Sequence, residues 1–157
     1  MRASALGLAL LLAGCHGVPW RPEAFDRAVR VETLELSFAQ DGTGLLSLKL
    51  EVRNPASELA TLTGVDFELW VEGRRLSAGL QQVEVPLGAN GLPHAVALSF
   101  PLVSEAVTKT EGSRPLQVGL RGGARFRYGE GTERRAPFHA ERALRLEWVP
   151  VPEAVLE

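Results

Sequence analysis

The chain has 157 residues, with 17 Lys and Arg against 19 Asp and Glu and a formal net charge of −2 at pH 7. This length suits one domain with a real core, and the slight negative charge argues against a general nucleic-acid partner. The single cysteine excludes an internal disulfide, so packing alone must stabilise the fold.

The N-terminus has the pattern of an export signal. Arg2 precedes an uncharged run over residues 3–12, which is the length of a signal-peptide core and too short to span a bilayer. This run ends in Leu12-Ala13-Gly14-Cys15. The alternative is an ordinary secretory signal in which a cysteine happens to follow Gly14.

The Leu-Ala-Gly-Cys string resembles the bacterial lipobox. The resemblance implies that residues 1–14 are removed and that Cys15 becomes an acylated N-terminus, held through a thioether that only a thiolate could form. Several acyl chains would anchor the protein stably to a membrane without a transmembrane helix. His16 is not the aspartate typical of inner-membrane retention, which favours the outer membrane of the cell envelope, at its periplasmic face or at the cell surface.

Residues 15–29 mix prolines, charges and Trp20 without a period, and we predict that they form a tether. The first strands follow. Alternating apolar residues over 30–38 and 46–52 flank a turn at residues 41–44, which predicts a β-hairpin. Asn54 and Pro55 should end its second strand, because proline lacks a ladder donor and restricts the residue before it.

The middle of the chain continues the strand pattern. Residues 65–71 and 76–80 predict a hairpin around residues 72–74, and shorter strands follow over 83–87 and 96–100, the last ending at Pro101. The one plausible helix covers residues 102–110.

The last predicted strands cover residues 116–120, 124–128 and 143–148, and residues 149–157 form a tail. About seven strands and at most one short helix predict an all-β antiparallel sandwich over residues 30–148, with a barrel as the alternative.

Residues 45–79 resemble the late embryogenesis abundant type 2 domain, also called the water-stress and hypersensitive-response domain. The shared elements are an alternating strand ending in Asn54-Pro55, a second alternating strand, a short charged hairpin and an ending of leucine, small residues and glycine. Ala56 follows the Asn-Pro pair where the family often has another asparagine. The resemblance implies a fibronectin- or immunoglobulin-like sandwich, an association with desiccation and stress tolerance, and no shared catalytic residue.

No catalytic or metal-binding set emerges from the sequence. The histidines, His16, His94 and His139, are isolated and lack metal-ligand spacing. Arginines are frequent after residue 120, including Arg125 and Arg127 on one strand face. They could contact anionic head groups, but the glutamates among them favour an ordinary solvated face.

These patterns predict a membrane-anchored envelope lipoprotein with a non-catalytic binding or protective domain, which needs no cofactor besides the lipid on Cys15. Its expected partners are the membrane and an envelope protein or amphiphile. The alternative function is a periplasm-facing accessory that binds a lipid or peptide for a transport or assembly machine, with an apolar groove between the sheets.

Overall fold

The computed structural model describes residues 21–103 and 114–149, which form two four-stranded β-sheets. The strands are β1 (Val29–Ala39), β2 (Thr43–Arg53), β3 (Ala60–Val71), β4 (Arg74–Leu87), β5 (Pro93–Val103), β6 (Leu116–Tyr128), β7 (Thr132–Leu144) and β8 (Glu147–Val149). A short 3-10 helix (Pro22–Phe25) precedes β1.

The strand order is β5-β2-β1-β8 in the first sheet and β4-β3-β6-β7 in the second. Adjacent strands are antiparallel except for β1 and β8, which pair in parallel over three residues. The predicted all-β antiparallel sandwich is therefore confirmed, with this one short parallel pair added.

The core lies between the sheets and is built from the inward positions of the alternating strands. Leu46, Leu50, Leu62 and Leu120 have no exposed surface. The packing joins both sheets directly, since the rings of Phe67 on β3 and Phe100 on β5 are 4.4 Å apart between centroids. Within the described residues, no helix is long and apolar enough to cross a membrane.

Prolines occupy the edge strands of both sheets. Pro86 lies on β4, Pro93 and Pro101 on β5, and Pro137 on β7, and each of these strands has one neighbour in its sheet. An edge strand can accept proline because one of its sides makes no ladder hydrogen bonds. Pro101 accordingly does not end β5, which continues to Val103.

The structure joins strands that the sequence predicted as separate. Strand β4 runs unbroken through residues 81 and 82. Its pairing with β3 shifts register between Leu62 and Gly64, and this irregularity accommodates the change in the alternation of apolar residues along β4. Strand β6 likewise runs straight through Gly122 and Gly123. A Cβ at Gly122 would collide with Phe138 and with the backbone oxygen of Asp66, so close packing explains this glycine without a turn.

The predicted strand over residues 143–148 is wrong. Residues 143 and 144 end β7, and β8 begins at Glu147 and returns to the first sheet. Strand β7 was not predicted, because its buried positions are mainly alanines and its outward positions are mainly charged, so the apolar alternation is weak. The first two residues of the predicted helix, Leu102 and Val103, instead belong to β5, because they pair with the beginning of β2. The remaining residues of that prediction, 104–110, lie outside the described residues.

The folded part of the chain begins before residue 30. Within the predicted tether, Phe25 and Ala28 are buried in the core. The ring of Phe25 meets Phe126 and Tyr128 edge-on, with centroids 5.8 and 6.4 Å away. At the other end, Val149 belongs to β8, and the remainder of the predicted tail lies outside the described residues.

Candidate functional site

A surface groove of about 970 Å³ lies on the outer face of the second sheet, across β3, β6 and β7. Because side chains alternate between the two faces of a strand, this face carries the polar residues of the three strands. The volume falls in the range of small-molecule sites.

Two rows of cross-strand neighbours form the centre of the groove. Trp70 on β3, Gly119 on β6 and Glu141 on β7 make the first row. Glu68, Arg121 and His139 make the second. The partly exposed Trp70 therefore lines the groove beside donors and acceptors from three strands.

Two glycines of β6 lie on the outer face at the groove, and the space above them is used differently. Gly119 lies between Trp70 and Glu141, and a Cβ placed there would touch only Trp70 Cβ, at 3.6 Å. Gly123 is covered by the guanidinium group of Arg135, which would collide with a Cβ. A glycine inside a strand often marks such a close approach.

Arg135 uses the space above Gly123 to reach Asp66, two strands away. Its Nη2 and Nε donate to Oδ1 and Oδ2 of Asp66 at 2.5 and 3.0 Å, which is a bidentate pair. The hydrogen bonds from Arg135 to Asp66 raise the pKa of the arginine. Nearby, Glu68 pairs with Arg75 at 3.3 Å. These ion pairs thus engage three of the side chains that line the groove, namely Asp66, Glu68 and Arg135.

The middle of the groove keeps polar side chains without partners. Arg121, His139 and Glu141 are exposed, and within residues 21–103 and 114–149 their side chains make no hydrogen bond or ion pair. Trp70 is half-buried, and its Nε1 has no acceptor among the same residues. Within the described part of the chain, the exposed side chains of Arg121, His139 and Glu141 are therefore open to a ligand, whereas Nε1 of Trp70 is itself buried.

The predicted site residues lie elsewhere. Leu12, Ala13, Gly14, Cys15 and His16 are outside the described residues. Asn54 and Pro55 follow β2, and Asn54 has no exposed surface.

The side chain of Asn54 makes four hydrogen bonds. Its Nδ2 donates to the carbonyl oxygens of Glu58 and Gly88 at 2.6 and 3.0 Å. Its Oδ1 accepts from the Ala56 amide at 3.0 Å and from the Tyr128 hydroxyl at 2.7 Å. Asn54 therefore ties the β2–β3 and β4–β5 connections to the end of β6, as a structural corner.

The arginine-rich region is mixed in charge. Arg125 and Arg127 do share the outer face of β6, as predicted, but each has an acidic neighbour at 4.0 Å, Asp66 and Glu84 respectively. Among the described residues, no three His, Cys, Asp or Glu side chains are placed to hold a metal ion.

The sequence analysis missed the groove, although two signals pointed to it. Trp70 alternates with buried residues and so had to face outward, and Gly119 and Gly123 interrupt β6 at outward positions. The missing information was the pairing of β7, which brings His139 and Glu141 beside Arg121 and Gly119.

Comparison with solved structures finds similar chains. The solution structure of AT1g01470 from Arabidopsis thaliana is similar with a TM-score of 0.63 at 15% identity, over 94% of this chain and 93% of that one. A crystal structure of a protein from Archaeoglobus fulgidus has a TM-score of 0.49 at 13% identity, over 74% of this chain and 99% of that one. No protein-family model matches the chain, and comparison with curated protein sequences finds no match. At these identities the likeness concerns the fold alone.

Proposed function

We propose that this protein is a lipid-anchored protein of the bacterial cell envelope whose β-sandwich is a non-catalytic binding module. The observation that carries the binding role is the groove on the second sheet, with Arg121, His139 and Glu141 unpaired within the described chain. The two carboxylates on β3, Asp66 and Glu68, are engaged by arginines, which suits a preformed binding surface.

The anchor is proposed from the lipobox resemblance at Leu12 to Cys15. The stretch between Cys15 and the buried Phe25 can span at most about 35 Å, since an extended chain gains about 3.5 Å per residue. A lipid on Cys15 would therefore keep the sandwich within about one domain diameter of the membrane. The outer membrane is the proposed location, because His16 replaces the retention aspartate.

A protective role in stress or desiccation is proposed from the type 2 late embryogenesis abundant resemblance. The resembling residues, 45–79, coincide with most of β2, all of β3 and the beginning of β4. The Asn54-Pro55 element falls at the corner between the sheets. The Arabidopsis structure is compatible with this proposal at the level of fold.

The alternative, a lipid or peptide carrier with an apolar groove between the sheets, gains no specific observation. Phe67 and Phe100 from opposite sheets contact each other where such a groove would run, and Leu62 and Leu120 are fully buried. The open space described above lies on an outer face.

The anchor is tested by expressing the full precursor and its Cys15→Ser variant in a bacterial host. We expect the wild type to lose residues 1–14, gain the mass of acyl chains and sediment with membranes, and the variant to do none of these. If both forms remain unmodified and soluble, the anchor is refuted.

The binding role is tested in the same cells by placing a photo-crosslinking amino acid at position 117, where the exposed Gln117 lines the groove. Position 49, where Lys49 lies exposed on the outer face of the first sheet, is the control. Adducts specific to position 117 support the binding role. Equal adducts at both positions, or none at either, contradict it.

A further inference from the structure

We propose that the groove on the second sheet binds a neutral saccharide, with Trp70 as a stacking wall and with Arg121 and Glu141 as partners of the sugar hydroxyls. This inference rests on the proposed binding function and specifies its ligand.

The charge balance of the groove favours a neutral ligand. Its lining includes the acidic Asp66, Glu68 and Glu141 and the basic Arg121 and Arg135, and two further arginines adjoin it, Arg75 beside Glu68 and Arg125 beside Asp66. Neither sign dominates, so an ionic ligand would gain little from the field of the site. An anion at Arg121 would also lie beside Glu68, its cross-strand neighbour on β3.

The unpaired groups favour a ligand rich in hydroxyls. Arg121 offers several N–H donors, Glu141 offers only acceptor oxygens when ionised, and His139 can do either. A hydroxyl group both donates and accepts, so neighbouring sugar hydroxyls can satisfy an arginine and a carboxylate together. Arg121 and Glu141 are diagonal neighbours on adjacent strands, at successive outward positions of one face, so a single ring lying across β6 and β7 can meet both.

The shape of the groove favours a ring-shaped ligand. Gly119 leaves open the position between Trp70 and Glu141. Trp70 lines the groove and is partly exposed, and in the proposed complex the exposed part of its indole packs against the C–H face of a pyranose ring, whose hydroxyls point at the polar neighbours.

The same geometry disfavours an extended peptide. Peptides bind sheets mainly by adding a strand at an edge, where main-chain groups are free. The groove lies over the face of β3, β6 and β7, where β3 and β6 pair with a neighbour on both sides and β7 has unpaired main-chain groups only along its outer edge. A ligand on this face must therefore contact side chains, and a polyhydroxylated ligand satisfies their hydrogen-bond donors and acceptors better than an extended peptide does.

The test titrates the full chain carrying Cys15→Ser with chitobiose, cellobiose and maltose. Inorganic phosphate and a blocked tetra-alanine peptide serve as the competing ligand classes. Binding is followed by saturation-transfer NMR on the ligand and by tryptophan fluorescence. We expect at least one disaccharide to bind with a Kd of about 1 mM, as befits a small ligand in an open groove.

Two variants locate the site. Arg121→Ala removes the free donor, and Gly119→Val fills the space beside Trp70 in a backbone conformation that suits a strand. Each should weaken disaccharide binding at least about tenfold, the loss expected when a hydrogen bond to a charged group is removed or the ligand is excluded. The matched controls, Arg30→Ala and Ser47→Val on the first sheet, should leave it unchanged. Urea unfolding of all four variants verifies that they fold.

The proposal is overturned if no disaccharide binds at about 50 mM, well above the expected Kd. Binding of phosphate or of the peptide in place of the sugars would also overturn it. So would sugar binding that both Arg121→Ala and Gly119→Val leave intact. None of these results depends on acylation of Cys15 or on crosslinking at position 117, so failure of the saccharide assignment is distinguishable from failure of the proposed function.

Discussion

Tyr128 donates a hydrogen bond from its hydroxyl group to Oδ1 of Asn54 across 74 positions of sequence, at 2.7 Å. This contact joins the end of β6 in the second sheet to the corner that follows β2 in the first. Both side chains are almost completely buried. Buried polar groups are stabilising only when they are satisfied, and each oxygen here has a partner.

We expect Asn54→Ala to lower the free energy of unfolding by about 3 kcal/mol, because several buried groups lose their partners at once. Tyr128→Phe removes only one of these bonds and should cost about 1 kcal/mol. Urea unfolding of the full chain with Cys15→Ser measures both.

The matched control is Asn90→Gly, because Asn90 is exposed and has a φ of 62°, which glycine adopts readily. It should change stability by less than about 0.5 kcal/mol. An Asn54→Ala variant as stable as this control would refute the structural role of the corner.

Burial raises the pKa of Tyr128 to about 12 from an ordinary value of 10.0. Between these values the folded state retains a proton that the unfolded state has released. The contribution of Tyr128 to stability should therefore be fully present below about pH 9 and be lost as the pH rises through 10 toward 12. The chain contains one tyrosine, so tyrosinate absorbance follows this residue alone.

The expected titration midpoint is near 12 in the folded protein and near 10 in concentrated urea. Tyr128→Phe should remove this part of the alkaline loss of stability. A folded-state midpoint near 10 would contradict the buried, proton-retaining environment.

The sequence predicted the fold well because the large residues on β1, β2, β3 and β5 alternate clearly between the two sides of each strand. It failed on β7, where Ala136 and Ala140 are buried but too small to create a strong pattern. Their size is set by tertiary packing: Ala140 lies opposite Leu120, and Ala136 lies opposite Ala124. Such packing constraints act between strands and leave little pattern in the sequence of a single strand.

The same limit applies to the site. Asn54 and Pro55 were identified because a strand-ending pair is a local signal. The groove depends on register between three strands, which brings Trp70 and Glu141 together across Gly119 from positions 71 residues apart. A strand pattern predicts which face a residue occupies but not its neighbours on that face.

Two glycines on β6 should respond in opposite ways to alanine. A Cβ at Gly122 would collide with the Asp66 backbone and the Phe138 ring, so Gly122→Ala should cost about 3 kcal/mol. Gly119 has room, since its nearest contact would be 3.6 Å from Trp70 Cβ. Gly119→Ala should be neutral or stabilising by about 0.5 kcal/mol. Thermal or urea unfolding of the two variants measures these stability changes. Equal changes for both variants would contradict the close packing of Phe138 against Gly122.

The Asp66–Arg135 pair should be worth more than an ordinary surface pair, because it is bidentate and Asp66 is one-quarter exposed. A double-mutant cycle with Asp66→Asn and Arg135→Gln should give a coupling of about 1 kcal/mol. The single-contact pair of Glu32 and Lys49, at 3.0 Å, is the control and should give less than about 0.5 kcal/mol. Both couplings should shrink in about 1 M NaCl. A larger coupling for the control would refute the role of the bidentate geometry.

Phe25 should be as important to stability as a residue of the central strands, although it lies before the first strand. Its ring is 1% exposed and meets Phe126 and Tyr128, so Phe25→Ala removes a large buried group and should cost about 3 kcal/mol in urea unfolding. Arg27→Ala, an exposed change in the same segment, should have little effect. If both variants were as stable as the parent, residues 21–28 would act as the tether that the sequence predicted. A selective loss for Phe25→Ala instead makes this segment part of the folded unit, because its aromatic ring closes the end of the sandwich next to the Asn54 corner.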